Sequence, residues 1–285
     1  MTPSAPQVVK FDGADGITLV ADEWNPPATD ADGRPSVLFL HGGGQNRFSW
    51  TKTAKLLADD GLHVVAVDSR GHGDSDRAPD ANYSVDALCD DTVRVVDQIG
   101  RPVVLIGASM GGMTGMLVAD AAGPDKVTKL VLVDVVPRYE KDGSARIREF
   151  MAGGVDGFAT LDEAADAVAA YLPHRERPRS SDGLTKNLRL RDGRWYWHWD
   201  PAFLTAPLDD RFVRVEKLEA AVTNLTIPIL LIRGRLSDVV SMEGVTDFLD
   251  KVPHAEFAEL SNAGHTAAGD DNDAFSEVVV QFVNR

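Results

Sequence analysis

The stretch Val103-Val104-Leu105-Ile106-Gly107-Ala108-Ser109-Met110-Gly111-Gly112 decides the fold of this chain. Its first four residues are the short apolar, β-branched run of a buried strand. The sequence beyond it, Met113 to Ala122, is helix-prone and stops at Gly123-Pro124. A serine is therefore expected on a sharp strand-to-helix turn. Such a turn needs backbone near positive φ and leaves no room for side chains on its flanks, which accounts for the small residues at Gly107 and Gly111. Ser109 then projects clear of the sheet, where a nucleophile belongs. The amides of Met110 and Gly111 open the following helix and face the space where negative charge would collect.

Outward from this turn, apolar strand runs alternate with helical patterns. Ile17 to Val20, Val37 to Leu40, Val64 to Val67, Leu130 to Val133, Ile229 to Ile232 and a short segment around Phe257 read as strands. Trp50 to Ala58, Val85 to Gln98, Met242 to Lys251 and Asp273 to Val283 read as helices. The alternation predicts an α/β fold with a mainly parallel sheet covered by helices. Between Arg138 and Asn224 the rhythm breaks. That segment shows no apolar strand run, but Ala-rich helical stretches such as Leu161 to Leu172, a basic loop from His174 to Arg179 and the aromatic cluster Trp195-Tyr196-Trp197-His198-Trp199. It is expected to be an insertion, 138–224, in a core formed by 1–137 and 225–285.

The 285 residues and 44% hydrophobic content are enough for a full core. With 44 acidic against 29 basic side chains the net charge is −15, which repels phosphate backbones and anionic lipid, so neither nucleic acid nor a membrane surface is an expected partner. No apolar run is long enough to span a bilayer, and Met1 to Pro6 lacks the basic and apolar segments of a signal peptide, so a cytoplasmic location is expected. The single cysteine, Cys89, sits among Asp86, Asp90 and Asp91, a setting that raises a thiol pKa; it reads as structural. The histidines are dispersed and no Cys-x-x-Cys pair exists, so no metal and no cofactor is expected. Oligomeric state is not legible.

A serine hydroxyl needs an adjacent base, and the base needs an acid to hold its tautomer. His265, in the polar loop Ser261-Asn262-Ala263-Gly264-His265-Thr266 before the last helix, is the expected base. Asp238, just past the strand Ile229 to Ile232, is the expected acid, and the order Ser, Asp, His suits a triad on such a sheet. Asp134 also ends a strand and is the rival acid. His63, His174, His198 and His254 read as structural or surface groups, with His198 kept as a possible pocket residue. The run His41-Gly42-Gly43-Gly44 directly follows a strand, and its glycines let backbone amides approach a ligand. Gly43 and Met110 are the expected oxyanion donors.

Together, His41 to Gly44, Gly107 to Gly112, Asp238 and Gly264-His265 resemble the α/β-hydrolase fold superfamily, in its serine esterase and cofactor-free haloperoxidase-like branch. The turn Asp68 to Asp76 is similar to one these enzymes carry after the fourth strand, where its Arg and Asp pin the loop. The resemblance implies an eight-stranded sheet, the insertion as a helical cap over the active site, and a serine hydrolase that cleaves a small hydrophobic ester through an acyl-enzyme. Ser109 stands where epoxide hydrolases and dehalogenases of this fold carry an aspartate, so those chemistries are disfavoured. Perhydrolase and C–C hydrolase activities use the same triad and remain alternatives, as does a low-turnover, receptor-like ligand-binding role. Trp195, Tyr196, Trp197, Trp199 and Phe203 offer an aromatic surface to a hydrophobic ligand, although aromatics also hold small caps together. Arg175, Arg177 and Arg179 read as a solvated loop.

Overall fold

Among the described residues, eight strands form one sheet in the order Gln7–Asp12, Thr18–Trp24, Val64–Val67, Ser36–Leu40, Val103–Ala108, Val127–Val133, Ile229–Gly234 and Glu256–Leu260. The computed structural model describes residues 5–25, 33–172, 180–205, 215–265 and 273–285. The strands are β1 (Gln7–Asp12), β2 (Thr18–Trp24), β3 (Ser36–Leu40), β4 (Val64–Val67), β5 (Val103–Ala108), β6 (Val127–Val133), β9 (Ile229–Gly234) and β10 (Glu256–Leu260). β1 and β2 are antiparallel to their neighbours, and the six from β4 to β10 run parallel. Parallel strands are covered on both faces, and β3, β4, β5 and β9 are accordingly buried throughout.

Helices α1 (Thr51–Asp59) and α8 (Asp273–Asn284) cover one face, placing Leu57, Phe275, Val279 and Phe282 on the inner side chains of β3, β5 and β9. Helices α2 (Val85–Ile99), α3 (Met110–Ala122), α6 (Val215–Asn224) and α7 (Met242–Lys251) cover the other. Local chemistry sets their limits. Ser84 Oγ accepts the Ala87 N–H at the start of α2, which ends where Gly100 takes φ 71°. β1 and α6 are not legible as apolar runs: β1 is mostly exposed, and α6 buries only Leu218, Ala221 and Val222.

The inserted segment differs from the expectation in two ways. It contains helices α4 (Lys141–Ala152) and α5 (Leu161–Tyr171), but also an antiparallel hairpin of β7 (Leu188–Arg191) and β8 (Arg194–Trp197), so the aromatic cluster begins in a strand. Asp192 and Gly193 form the connecting turn with φ 48° and 77°, the positive values that Asp-Gly supplies in a two-residue hairpin. Second, α6, expected within the insertion, packs on the core beside α3. The rest of the segment has a small core of its own, in which Met151, Ala164, Leu188, Trp197 and Trp199 are buried. The basic segment expected as a loop from His174 to Arg179 lies outside the described residues.

Candidate active site

Strand β3 is followed in the chain by β4 on one side, whereas β5 lies on its other side, so the carboxyl ends of β3 and β5 flank the switch point of the sheet. The register pairs Leu40 with Gly107. The glycine run after β3 and the serine after β5 are thereby brought side by side.

Ser109 sits between β5 and α3 with φ 48° and ψ −115°. A non-glycine residue in this region stores roughly 1–3 kcal/mol of strain. Close packing holds it there: a Cβ on Gly107 would lie 2.3 Å from the Gly111 carbonyl oxygen, and one on Gly111 2.3 Å from that of Leu40. Helix α3 begins at Met110, three residues earlier than its apolar pattern suggests.

His265 joins the serine to an acid. Its Nε2 lies 3.1 Å from Ser109 Oγ, and its Nδ1 lies 2.7 Å from Asp134 Oδ2. The expectation that Asp238 is that acid is corrected here. Strand β6 pairs Val133 with Ala108 of β5, so the next residue, Asp134, stands beside Ser109 at the strand ends. Asp134 is fully buried; its Oδ1 accepts the Gly234 N–H at 3.0 Å and its Oδ2 the Ser237 hydroxyl at 2.5 Å. Asp238 lies four residues beyond β9 and turns outward to Arg146 of α4, at 2.6 Å, in a pair whose side chains are 57% and 41% exposed. It fastens the insertion to the core instead of meeting His265.

The glycine run is held from behind. Gly42 N–H donates to Gln45 Oε1 at 3.0 Å and Gly44 N–H to His72 Nε2 at 3.2 Å. Among the described residues, neither the Gly43 N–H nor the Met110 N–H has an acceptor within the protein. Both residues line the pocket with Ser109. Both N–H groups are thus open to an acceptor held at Ser109.

His41 and His72, which the sequence offers only as neighbours of glycines, secure that loop. His41 Nδ1–H donates to the Gly42 carbonyl at 2.8 Å while Nε2 accepts the Ser69 N–H at 2.9 Å. His72 Nδ1–H donates to the Arg70 carbonyl at 3.1 Å while Nε2 accepts from Gly44. Each therefore works as a neutral ring. Burial lowers the pKa of His41 to about 4 and that of His72 to about 3. His198, also buried, accepts the Gly73 N–H on Nδ1 at 2.8 Å and lies tilted against the His72 ring; burial holds it well below the usual histidine range. It does not line the pocket at Ser109. The turn from Asp68 is pinned by charge, with Arg70 bidentate to Asp91 at 2.6 and 2.8 Å and Asp68 paired with Arg47.

A cavity of about 150 Å³ opens at Ser109, lined by core residues including Leu88, Met113 and Val135 and by Ile147, Phe150, Met151, Tyr171 and Phe203 of the insertion. Of the aromatic cluster, only Phe203 reaches it. Trp197 and Trp199 stack on each other at 4.9 Å inside the insertion's own core, which is the packing role. Cys89 is buried, with a thiol pushed up to about 12 by burial and then by Asp90 and Asp86. Among the described residues, no group of three or more His, Cys, Asp or Glu side chains could hold a metal ion, and no helix is long and apolar enough to cross a membrane.

A mostly parallel sheet flanked by helices, with Ser109, His265 and Asp134 hydrogen-bonded in a line at its strand ends, is an arrangement that hydrolases use. The model of the α/β hydrolase fold family matches residues 35–271. This chain belongs to that family. It is similar to esterase Rv0045c of Mycobacterium tuberculosis, at 30% identity over 253 residues that cover 86% of this chain and 81% of the relative. It is also similar to the mouse sn-1-specific diacylglycerol lipase ABHD11, at 29% identity over 265 residues, 87% of this chain and 81% of the relative. The crystal structure of an alpha/beta hydrolase from Novosphingobium aromaticivorans superposes with a TM-score of 0.83 at 26% identity, covering 99% of both chains.

Proposed function

We propose that the protein is a carboxylic ester hydrolase that works through an acyl-enzyme on Ser109, with His265 as base, Asp134 as acid, and Gly43 and Met110 as oxyanion donors. The observation that carries this reading is the continuous link from Ser109 Oγ to His265 Nε2 at 3.1 Å and from His265 Nδ1 to Asp134 Oδ2 at 2.7 Å. Asp134 fixes the proton on Nδ1, so Nε2 is free to take the serine proton as Oγ attacks the ester carbonyl. The tetrahedral oxyanion collects the two backbone N–H groups, His265 returns its proton to the departing alcohol, and water repeats the sequence on the acyl group.

The segments of 138–224 that line the pocket act as a cap over this site, with Arg146 and Asp238 as one of its fastenings. A cavity of about 150 Å³ is the size that takes a single aromatic ring or a short acyl chain. Esterase and lipase relatives support ester chemistry. Release of p-nitrophenol from esters graded from acetate to palmitate tests the reading. Acetate and butyrate are expected to be the best substrates, and Ser109→Ala to lower kcat/KM by at least about 10⁴-fold. Hydrolysis of none of the esters, or hydrolysis that survives Ser109→Ala, would remove it.

A further inference from the structure

One pocket residue is out of keeping with the others. Arg148, on α4 of the insertion, is partly buried and lines the same cavity as Ser109. Its Nη2 lies 3.4 Å from the Leu204 carbonyl oxygen, a long and weak contact for a guanidinium that carries five N–H donors. Among the described residues no carboxylate pairs with it. The exposed Arg34 and Arg194 likewise donate to carbonyl oxygens, but the arginines enclosed in the core behave differently. The buried Arg47, Arg70 and Arg233 each hold an aspartate or glutamate, and Arg146, two residues away and more exposed, holds Asp238.

The described lining of the cavity contains no Asp or Glu. Asp134 stands behind His265 and is fully enclosed. In a protein of net charge −15, a cation thus stands without a counter-ion among the described residues, in the mostly apolar cavity that opens at Ser109. A charge in such surroundings is stabilised by an anion brought to it, and a guanidinium fork matches a carboxylate in particular.

We propose that Arg148 is a specificity residue and that the substrate is an ester bearing a second, ionised acid group, a carboxylate, on the part that occupies the cavity. The inference rests on the hydrolase reading above, because it places the carboxylate relative to an ester held at Ser109. Apolar walls receive the chain between the two groups, and Arg148 binds its charged end.

The test compares matched pairs: the monomethyl esters of succinate, glutarate and adipate against methyl butyrate, valerate and hexanoate. With the best-fitting pair, the wild-type kcat/KM for the anionic ester should exceed that for the neutral one by about 10- to 100-fold, the range of a charge-assisted hydrogen bond. In Arg148→Met this ratio should fall to one or below, mainly through KM. Calorimetric titration of the same hemiester into Ser109→Ala, with and without Arg148→Met, measures the contact without turnover. Binding that depends on Arg148 but no hydrolysis of any ester would overturn the hydrolase reading and leave the anion site standing. Hydrolysis with a ratio near one that Arg148→Met does not change would overturn the anion site and leave the hydrolase reading standing. Neither binding nor hydrolysis would overturn both.

Discussion

Replacing Asp134 by asparagine, with Asp238→Asn as its control, separates two carboxylates that the chain order Ser, Asp, His cannot distinguish. In the native site Asp134 Oδ2 accepts from both His265 Nδ1 at 2.7 Å and the Ser237 hydroxyl at 2.5 Å, and Oδ1 accepts from Gly234 N–H at 3.0 Å. An asparagine that keeps its oxygen toward Gly234 turns its NH₂ toward His265. The imidazole must then accept on Nδ1 and carry its proton on Nε2, facing Ser109, where it cannot take the serine proton. The wrong tautomer is expected to lower kcat by about 10⁴-fold, equivalent to roughly 5.5 kcal/mol of barrier. Asp238→Asn loses only the exposed pair with Arg146, worth about 1 kcal/mol or less, and should leave kcat within about twofold. Initial rates with p-nitrophenyl butyrate, with circular dichroism to verify folding, give the answer. An Asp134→Asn protein with a tenth or more of wild-type kcat, or an Asp238→Asn protein that falls a hundredfold, would refute the assignment.

Acid should loosen the protein before its carboxylates titrate. His41 and His72 are held neutral by burial, at about 4 and about 3, so below the ordinary 6.5 the unfolded chain binds protons that the folded chain refuses. Stability is then full above about pH 7.5 and falls by about 1.4 kcal/mol per pH unit for each histidine as pH drops from about 6.5 toward those folded values. Melting curves between pH 8 and 5 should show the slope, and His72→Asn should reduce it; a flat Tm would contradict the neutral rings. Gly111→Ala places a methyl 2.3 Å from the Leu40 carbonyl oxygen, and the expected loss is about 3 kcal/mol together with most of the activity. A variant that melts and turns over like wild type would show that the helix-to-sheet contact can relax. Trp197→Ala removes the centre of the insertion's core and should cost that segment about 3–5 kcal/mol. Hydrogen exchange should then rise in α4, α5 and the hairpin while β5 and α3 stay protected, and uniform exchange would argue against a separately stabilised cap.

The sheet core is legible because its strands are buried on both faces and show as unbroken Val, Leu and Ile runs, and the turn at Ser109 because small residues flank it after such a run. Which carboxylate meets His265 is not. Asp134 and Asp238 both follow apolar strands, and what selects Asp134 is the pairing of Val133 with Ala108, a register between strands that spacing along the chain does not encode. Likewise the roles of His41 and His72 depend on the loops after β3 and β4 meeting at the strand ends. The β7–β8 hairpin is a different case: Leu188 and Leu190 alternate with arginines ahead of Asp192-Gly193, a hairpin signal that contains no unbroken apolar run. Helix α6 offers too few apolar residues to show, from sequence, that it belongs with the core.

Covalent labelling reads out whether Ser109 is the nucleophile. After treatment with a fluorophosphonate, intact-mass spectrometry should show one phosphonyl adduct, mapped to the peptide containing Ser109, absent in Ser109→Ala and formed far more slowly in His265→Ala. No adduct on the wild-type protein, or an adduct that persists in Ser109→Ala, would contradict the account.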